Sequence, residues 1–264
     1  MSLESIPVWI LLLATIVAVI ISIEAGFRMG RNAHRRSAEE KEAPISGIAG
    51  AILGLVAFML AFTFGIVSDR YEARKALVRQ EANAVRAAYR RADFLPEPGR
   101  EVSRRLLREY VDIRLSFVEE GGVDGDRLHE VLSRTVEIQD GLWDLAAANA
   151  AVDMNSEIAS LYIQTLDEII ETHASRVALS LQARIPLGIW AVLAGLTVLG
   201  MLAMGYHLGI AGSRRSAVTI VLAISFAMVI AVIASLDRPT GFIQVTQKPL
   251  VDVQRFIAGR EAGR

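Results

Sequence analysis

The 264 residues carry 28 basic and 29 acidic side chains and no cysteine. This balance lacks the basic excess that accompanies nucleic-acid partners, and the missing thiols exclude a disulfide scaffold, a cysteine nucleophile, an iron–sulfur cluster and a cysteine zinc site. The chain is 53% hydrophobic with a mean hydropathy of +0.39. That excess is gathered in four blocks, which excludes a soluble globular protein and makes the lipid bilayer the first expected partner.

The first block runs from Ile6 to Ile23 and holds no charge. The second covers Ile45 to Val67, the third Ile185 to Ile210 and the fourth Ala217 to Leu236. Each approaches the ~20 residues that a helix needs to cross a ~30 Å hydrocarbon core. Met1 to Pro7 carry one glutamate and no Lys or Arg, the wrong start for a cleaved secretory signal, so four retained spans are expected.

Between the second and third blocks the apolar residues follow a helical period. Leu77, Val78, Val85 and Tyr89 share one stripe, and Val102, Leu106, Tyr110, Ile113 and Phe117 a second. Leu128, Val131, Leu132, Thr135, Ile138 and Leu142 form a third, and Ile158, Leu161, Tyr162, Leu166, Ile169 and His173 a fourth. Pro96-Glu97-Pro98-Gly99 and Gly121-Gly122 are expected to stop the first two helices, with Asp126 and Asp153 as N-caps of the next two. The outer helices are expected to continue the second and third spans, with a kink or new start at Pro186. No run reads as a strand. The expected fold is all-α: four transmembrane helices, two plus two, with a helical bundle inserted between the second and third. The domains are then residues 1–67, 68–184, 185–236 and a C-terminal tail, 237–264.

The loop from Glu24 to Pro44 carries Arg28, Arg31, Arg35, Arg36 and Lys41, and the loop near Gly212 carries Arg214 and Arg215. The positive-inside rule puts these loops in the cytoplasm and the termini and bundle outside an inner (cytoplasmic) membrane. Arg70, Arg74, Lys75 and Arg79 count the other way.

No catalytic, cofactor or metal site is expected. His34, His129, His173 and His207 show no H-x-x-x-H or H-E-x-x-H spacing. Gly122-Val123-Asp124-Gly125-Asp126 lacks the later ligands of a calcium loop and reads as a turn. No nucleophile elbow or phosphate loop occurs. The span interiors contain no Asp, Glu, Lys or Arg, which argues against a coupled carrier and leaves room for a passive pore.

The second span stands apart. Gly47, Gly50, Gly54, Ala57, Ala61 and Gly65 form one small-residue face suited to close helix packing. Packing within the protomer is the first expectation for it. The alternative is an oligomer in which this span lines an axis, with Phe58, Phe62 and Ile66, each four apart, as stacked apolar rings. Beyond it, Asp69 to Arg91 hold seven basic and three acidic residues. The basic stalk of Arg70, Arg74, Lys75 and Arg79 suits anionic lipid headgroups or anions at a pore mouth.

Phe62-Thr63-Phe64-Gly65, Asp69-Arg70-Tyr71-Glu72-Ala73-Arg74 and Glu81-Ala82-Asn83-Ala84 together resemble the signature of the bestrophin-like domain family. Ala92-Asp93-Phe94-Leu95-Pro96-Glu97-Pro98, Arg108-Glu109-Tyr110-Val111-Asp112 and a tail from Leu236-Asp237-Arg238-Pro239 to Gln247-Lys248-Pro249-Leu250 extend the resemblance. The likeness to bestrophins implies a pentameric anion channel with two spans, a helical domain and two more spans. It also implies a neck lined from the second span by apolar side chains four apart, the pattern of Phe58, Phe62 and Ile66. A homo-oligomeric passive channel for an inorganic anion is therefore the leading expectation. A non-transporting scaffold or envelope sensor, whose bundle binds a partner protein, is the alternative. The tail motif Asp237, Arg238 and Pro239 is expected at the membrane surface, capping the fourth span or touching the stalk.

Overall fold

The computed structural model describes residues 7–36, 42–119, 125–212, 217–238 and 242–263. Its helices are α1 (Val8–Arg36), α2 (Glu42–Arg91), α3 (Gly99–Glu119), α4 (Gly125–Val152), α5 (Glu157–Val177), α6 (Leu187–Ile210), α7 (Ala217–Asp237) and α8 (Lys248–Ala262). No strand occurs among the described residues. Four of them, α1, α2, α6 and α7, are long and apolar enough to cross a membrane. Only 22% of the apolar stretch is buried within the chain in α1, α2 and α6, and 44% in α7. Trp9, Leu13, Leu55, Leu199, Ile220 and Met228 are left exposed, as lipid contact allows and water does not. Hydroxyls in these helices turn back on their own backbone: Thr15 donates to the Leu11 carbonyl at 2.8 Å, Ser22 to Ala18 at 2.7 Å and Thr197 to Leu193 at 2.7 Å. Such bonds keep the hydroxyls satisfied away from water.

The chain divides into two compact units. The first comprises residues 1–70 and 184–243. In it α1 packs against α6 and α7, and Val19, Ile23, Met201 and Ala223 form a buried cluster. Helix α6 is capped at Ala211, followed by Gly212 with φ +63°, a left-handed residue after a helix end where glycine has no Cβ penalty. The α1–α6 contact is unusually close. A Cβ on Gly26 would lie 2.0 Å from the Leu202 carbonyl oxygen, and one on Gly205 2.1 Å from that of Ile23. Gly30 meets the Tyr206 oxygen and Gly209 the Phe27 oxygen in the same way, at 2.2 and 2.5 Å. Two G-x-x-x-G pairs thus bring the two backbones together.

The second unit comprises residues 71–183 and 244–264. Its core joins Val85, Tyr89, Leu107, Tyr110, Ile138, Leu142, Tyr162, Leu166 and Ile169, which are members of the expected stripes or their immediate neighbours. Leu161 and Ile158, expected in the fourth stripe, are half exposed instead. The C-terminal tail is not a loose end. Helix α8 seats Leu250, Val253 and Ile257 in this core. Gln254 donates to Asp112 at 2.7 Å and Tyr89 to Glu261 at 3.2 Å.

Helix ends correct two expectations. Helix α4 begins at Gly125, so Asp126 lies inside its first turn rather than at the cap, where its charge still favours the amide end. The cap of α5 is Ser156, whose Oγ accepts from the Ala159 N–H at 3.2 Å, while Asp153 accepts from Asn155 in a local turn. Ser156 holds the extended backbone and the three-residue spacing a cap requires. Between α5 and α6 lie a π-turn at Ala178–Gln182 and an extended Pro186, so α6 is the new start expected at that proline. Proline at the start of α6 supplies no N–H and blocks a continuous helix. Helix α2, by contrast, is unbroken for 50 residues, as nothing between Val67 and Arg91 interrupts it, and ends before Pro96-Glu97-Pro98. Gly121, Gly122, Val123 and Asp124 lie outside the described residues.

Candidate functional site

Helix α2 has two sides in the membrane. Ala49, Val56, Leu60, Thr63 and Val67 are buried and recur at spacings of three, four and seven, one stripe of a 3.6-residue helix. At about 100° per residue, Gly47, Gly50, Gly54, Ala57, Ala61 and Gly65 fall on a different flank, centred roughly 130° round the helix from that stripe. Packing within the protomer is not seen there among the described residues: a Cβ on Gly47, Gly50, Gly54 or Gly65 would meet none of them within 4 Å. The close approach occurs at Gly26, Gly30, Gly205 and Gly209, a pattern the sequence displays as two G-x-x-x-G spacings but which the composition of α2 overshadowed. Phe58 and Phe62 flank the small-residue face with 64% and 59% of their surface exposed, and Ile66 is half-buried.

Past the membrane stretch, the basic residues are less free than their number suggests. Arg70 lies 3.5 Å from Asp237, Arg74 is buried, and Lys75 donates to Glu72 at 3.1 Å. Arg79 is exposed. Asp237 is itself buried. It accepts the Ile185 N–H at 3.1 Å, and its carbonyl accepts from Arg184 at 2.8 Å. Of the two expected roles, contact with the stalk is made at Arg70, and Asp237 also holds the segment that precedes α6. Arg238 follows it directly, and Pro239 lies outside the described residues.

The bundle conceals a polar centre around Glu81 that no local sequence motif marks as a site. Glu81 has no exposed surface, and its carboxylate accepts from the Tyr110 hydroxyl at 2.5 Å, pairs with Arg114 at 3.3 Å and is clasped by Arg176. Arg176 also donates to Gln247 at 3.2 Å. Burial pushes the Tyr110 phenol up to about 12, against the opposing pull of Arg114. Burial also lowers the Arg114 guanidinium below its usual range and brings Arg176 down to about 10. His173 is held down to about 4, first by burial and then by Arg114, so it is neutral near pH 7. The clue was present: Glu81 sits inside the apolar stripe between Val78 and Val85, and a charge on a core face demands a buried partner. His34, His129 and His207 do not join this centre; His34 and His129 are exposed and His207 lies in α6.

Apolar helices of membrane length joined to a water-compatible helical bundle define a helical membrane protein. The chain belongs to the bestrophin-like family, whose domain model matches residues 14–250. Among curated proteins none matches the sequence. Solved structures with a similar fold include a bacterial bestrophin homolog from Klebsiella pneumoniae, 17% identical, with a TM-score of 0.65 over 95% of this chain and 97% of that one. A mutated form of that homolog is 15% identical, with a TM-score of 0.68 over 96% of this chain and 98% of its own.

Proposed function

We propose that the protein assembles as a closed homo-oligomeric ring around α2 and conducts a small inorganic anion passively. The observation that carries this reading is the unpartnered side of α2. Glycine and alanine facing lipid bury little, whereas the same residues facing further copies of α2 allow close approach. Phe58, Phe62 and Ile66 then stack as apolar rings, a constriction of the kind that gates by dewetting. The exposed Arg79 and the basic excess of the stalk support a preference for anions. The topology that fits is two spans, an inserted bundle and two further spans in the inner membrane, with domains 1–67, 68–184 and 185–236 and the tail 237–264 docked as α8. The arginine-rich segment after α1's apolar stretch supports a bundle on the extracytoplasmic side.

The test is the oligomeric mass in detergent, followed by conductance of the reconstituted protein. A closed ring whose leak rises on Phe62→Ala supports the proposal. A monomer or dimer leaves no axis for α2 and sinks it.

One feature favours the non-transporting scaffold as a second reading. Val152 and Met154, at the turn between α4 and α5, are 86% and 83% exposed, as a contact for a partner protein would be. Crosslinking through Val152→Cys that recovers only copies of this chain counts against it.

A further inference from the structure

We infer that the bundle docks head to tail on a second copy of this chain: Arg86, Arg90 and Arg260, gathered around Phe256, receive the acidic outer side of the other copy's α4 at Asp140, Trp143 and Asp144. The contact rests on the ring proposed above and names the bundle surfaces that close it. One half is a basic cluster of defined geometry. The guanidiniums of Arg86, Arg90 and Arg260 stand 5.2, 5.2 and 5.9 Å from the centre of the one Phe256 ring, which holds them together by cation–π attraction. Arg104 and Arg108 take the nearby carboxylates of Asp93 and Glu261, and Arg260 shares Asp93 at 3.5 Å. Arg86 and Arg90 face no carboxylate among the described residues, and Arg86 Nε, although buried, makes no hydrogen bond there. A guanidinium stacked on a ring keeps its planar fork of donors for a carboxylate.

The other half is acidic and belongs to the same chain. Residues 135–175 hold eight carboxylates and no Lys or Arg. Asp140 and Asp144 are exposed on α4 and pair with no cation among the described residues. Trp143 stands between them, 40% exposed, and Val136, one turn before Asp140, is 48% exposed. An aromatic centre with a charged rim, facing arginines, is the composition of an interface. Spacing matches as well as sign. Arg86 and Arg90 are four apart on α2, and Asp140 and Asp144 four apart on α4, so each pair forms a ridge about 6 Å long. Two such helices side by side bring two guanidiniums to two carboxylates, with Trp143 placed to stack on a cation. Within the protomer no ion pair joins the two halves among the described residues, and α4 packs on α3 and α5. Two different patches of one chain that fit each other make a heterologous contact, the kind that closes into a ring. An anionic lipid surface would engage the basic half and repel the acidic one.

The test is crosslinking of the full chain in membranes, which has no native cysteine to interfere. A short bis-maleimide added to Arg90→Cys/Asp144→Cys should give a ladder of covalent oligomers on a denaturing gel, while each single variant stays monomeric. Adding Arg86→Glu to the double variant should cut the ladder at least about fivefold, and Asp140→Arg on top of it should restore the yield, because the two charges are then exchanged across the contact. Dimers from either single variant mean a symmetric contact and overturn the inference. So does a ladder that ignores Arg86→Glu. A closed-ring mass in detergent without the ladder overturns this contact alone and hands the basic cluster to lipid or to another protein; a monomeric mass overturns the ring with it. A ladder beside an unchanged leak in Phe62→Ala upholds the contact and counts only against conduction.

Discussion

Arg176 of α5 and Glu81 of α2 are 95 positions apart, yet the guanidinium closes on a carboxylate that has no contact with solvent. Tyr110 and Arg114 reach the same carboxylate from α3, so one glutamate ties three helices of the bundle together.

Breaking that tie should be costly. Glu81→Gln leaves two buried guanidiniums without a counter-charge, and removal of one partner from a buried pair costs about 3–5 kcal/mol. Denaturant unfolding in detergent should show this loss. Adding Arg176→Met to Glu81→Gln should restore part of it, because fewer stranded charges remain.

His173 makes stability depend on pH in a defined direction. Its folded value of about 4 lies below the ordinary 6.5, so the unfolded chain takes up a proton first as pH falls. The neutral histidine's contribution is therefore complete above pH 6.5 and lost progressively down to pH 4, amounting to roughly 3 kcal/mol in all. Thermal midpoints measured from pH 7 to pH 4 should fall less steeply in His173→Leu than in the natural protein.

Glycines of α1 and α6 should respond very differently from those of α2. Gly205→Ala drives a Cβ into the Ile23 backbone, 2.1 Å from its oxygen, and should abolish a monodisperse peak on size exclusion. Gly54→Ala meets nothing within 4 Å among the described residues and should leave the protomer's helicity and thermal midpoint unchanged. If α2 lines the ring's axis, Gly54→Leu should alter the oligomeric mass.

Helix α8 should be needed by the bundle. Leu250 is completely buried, and truncating such a leucine costs about 2–5 kcal/mol through lost burial and the residual cavity. Leu250→Ala should lower the unfolding midpoint by a corresponding amount, measured by far-ultraviolet circular dichroism.

The bundle's side can be read directly, since the chain has no native cysteine. Val152→Cys should react with a membrane-impermeant maleimide in intact cells if the bundle is extracytoplasmic. Labelling only after lysis places it in the cytoplasm.

Much of the architecture was legible in the chain because it follows from local rules. Four blocks of membrane length and the stripes ending at Tyr89, Phe117, Leu142 and His173 correspond to α1 to α7, since an apolar face at helical period has one economical conformation. The helix in the tail was missed: Leu250, Val253 and Ile257 make a short stripe interrupted by charges, and its burial is created by the surface it docks on. Aspartate favours a cap position, which points to Asp153, but the backbone turns extended three residues later, at Ser156.

The site residues divide along the same line. Phe58, Phe62 and Ile66 were identifiable from a spacing of four, and their orientation relative to the glycine face follows from helix geometry alone. Which side of α2 would be covered did not follow, because coverage depends on partners: Ile52, Leu53 and Val56 meet α6 at Gly200, and Gly26 and Gly30 of α1 are taken up against α6. The centre at Glu81 likewise required the fold. The sequence by itself determined that a charge sits on a core-facing stripe; only tertiary structure decided that Tyr110, Arg114 and Arg176 meet it, because ion pairing across 95 residues is set by helix packing and not by local propensity.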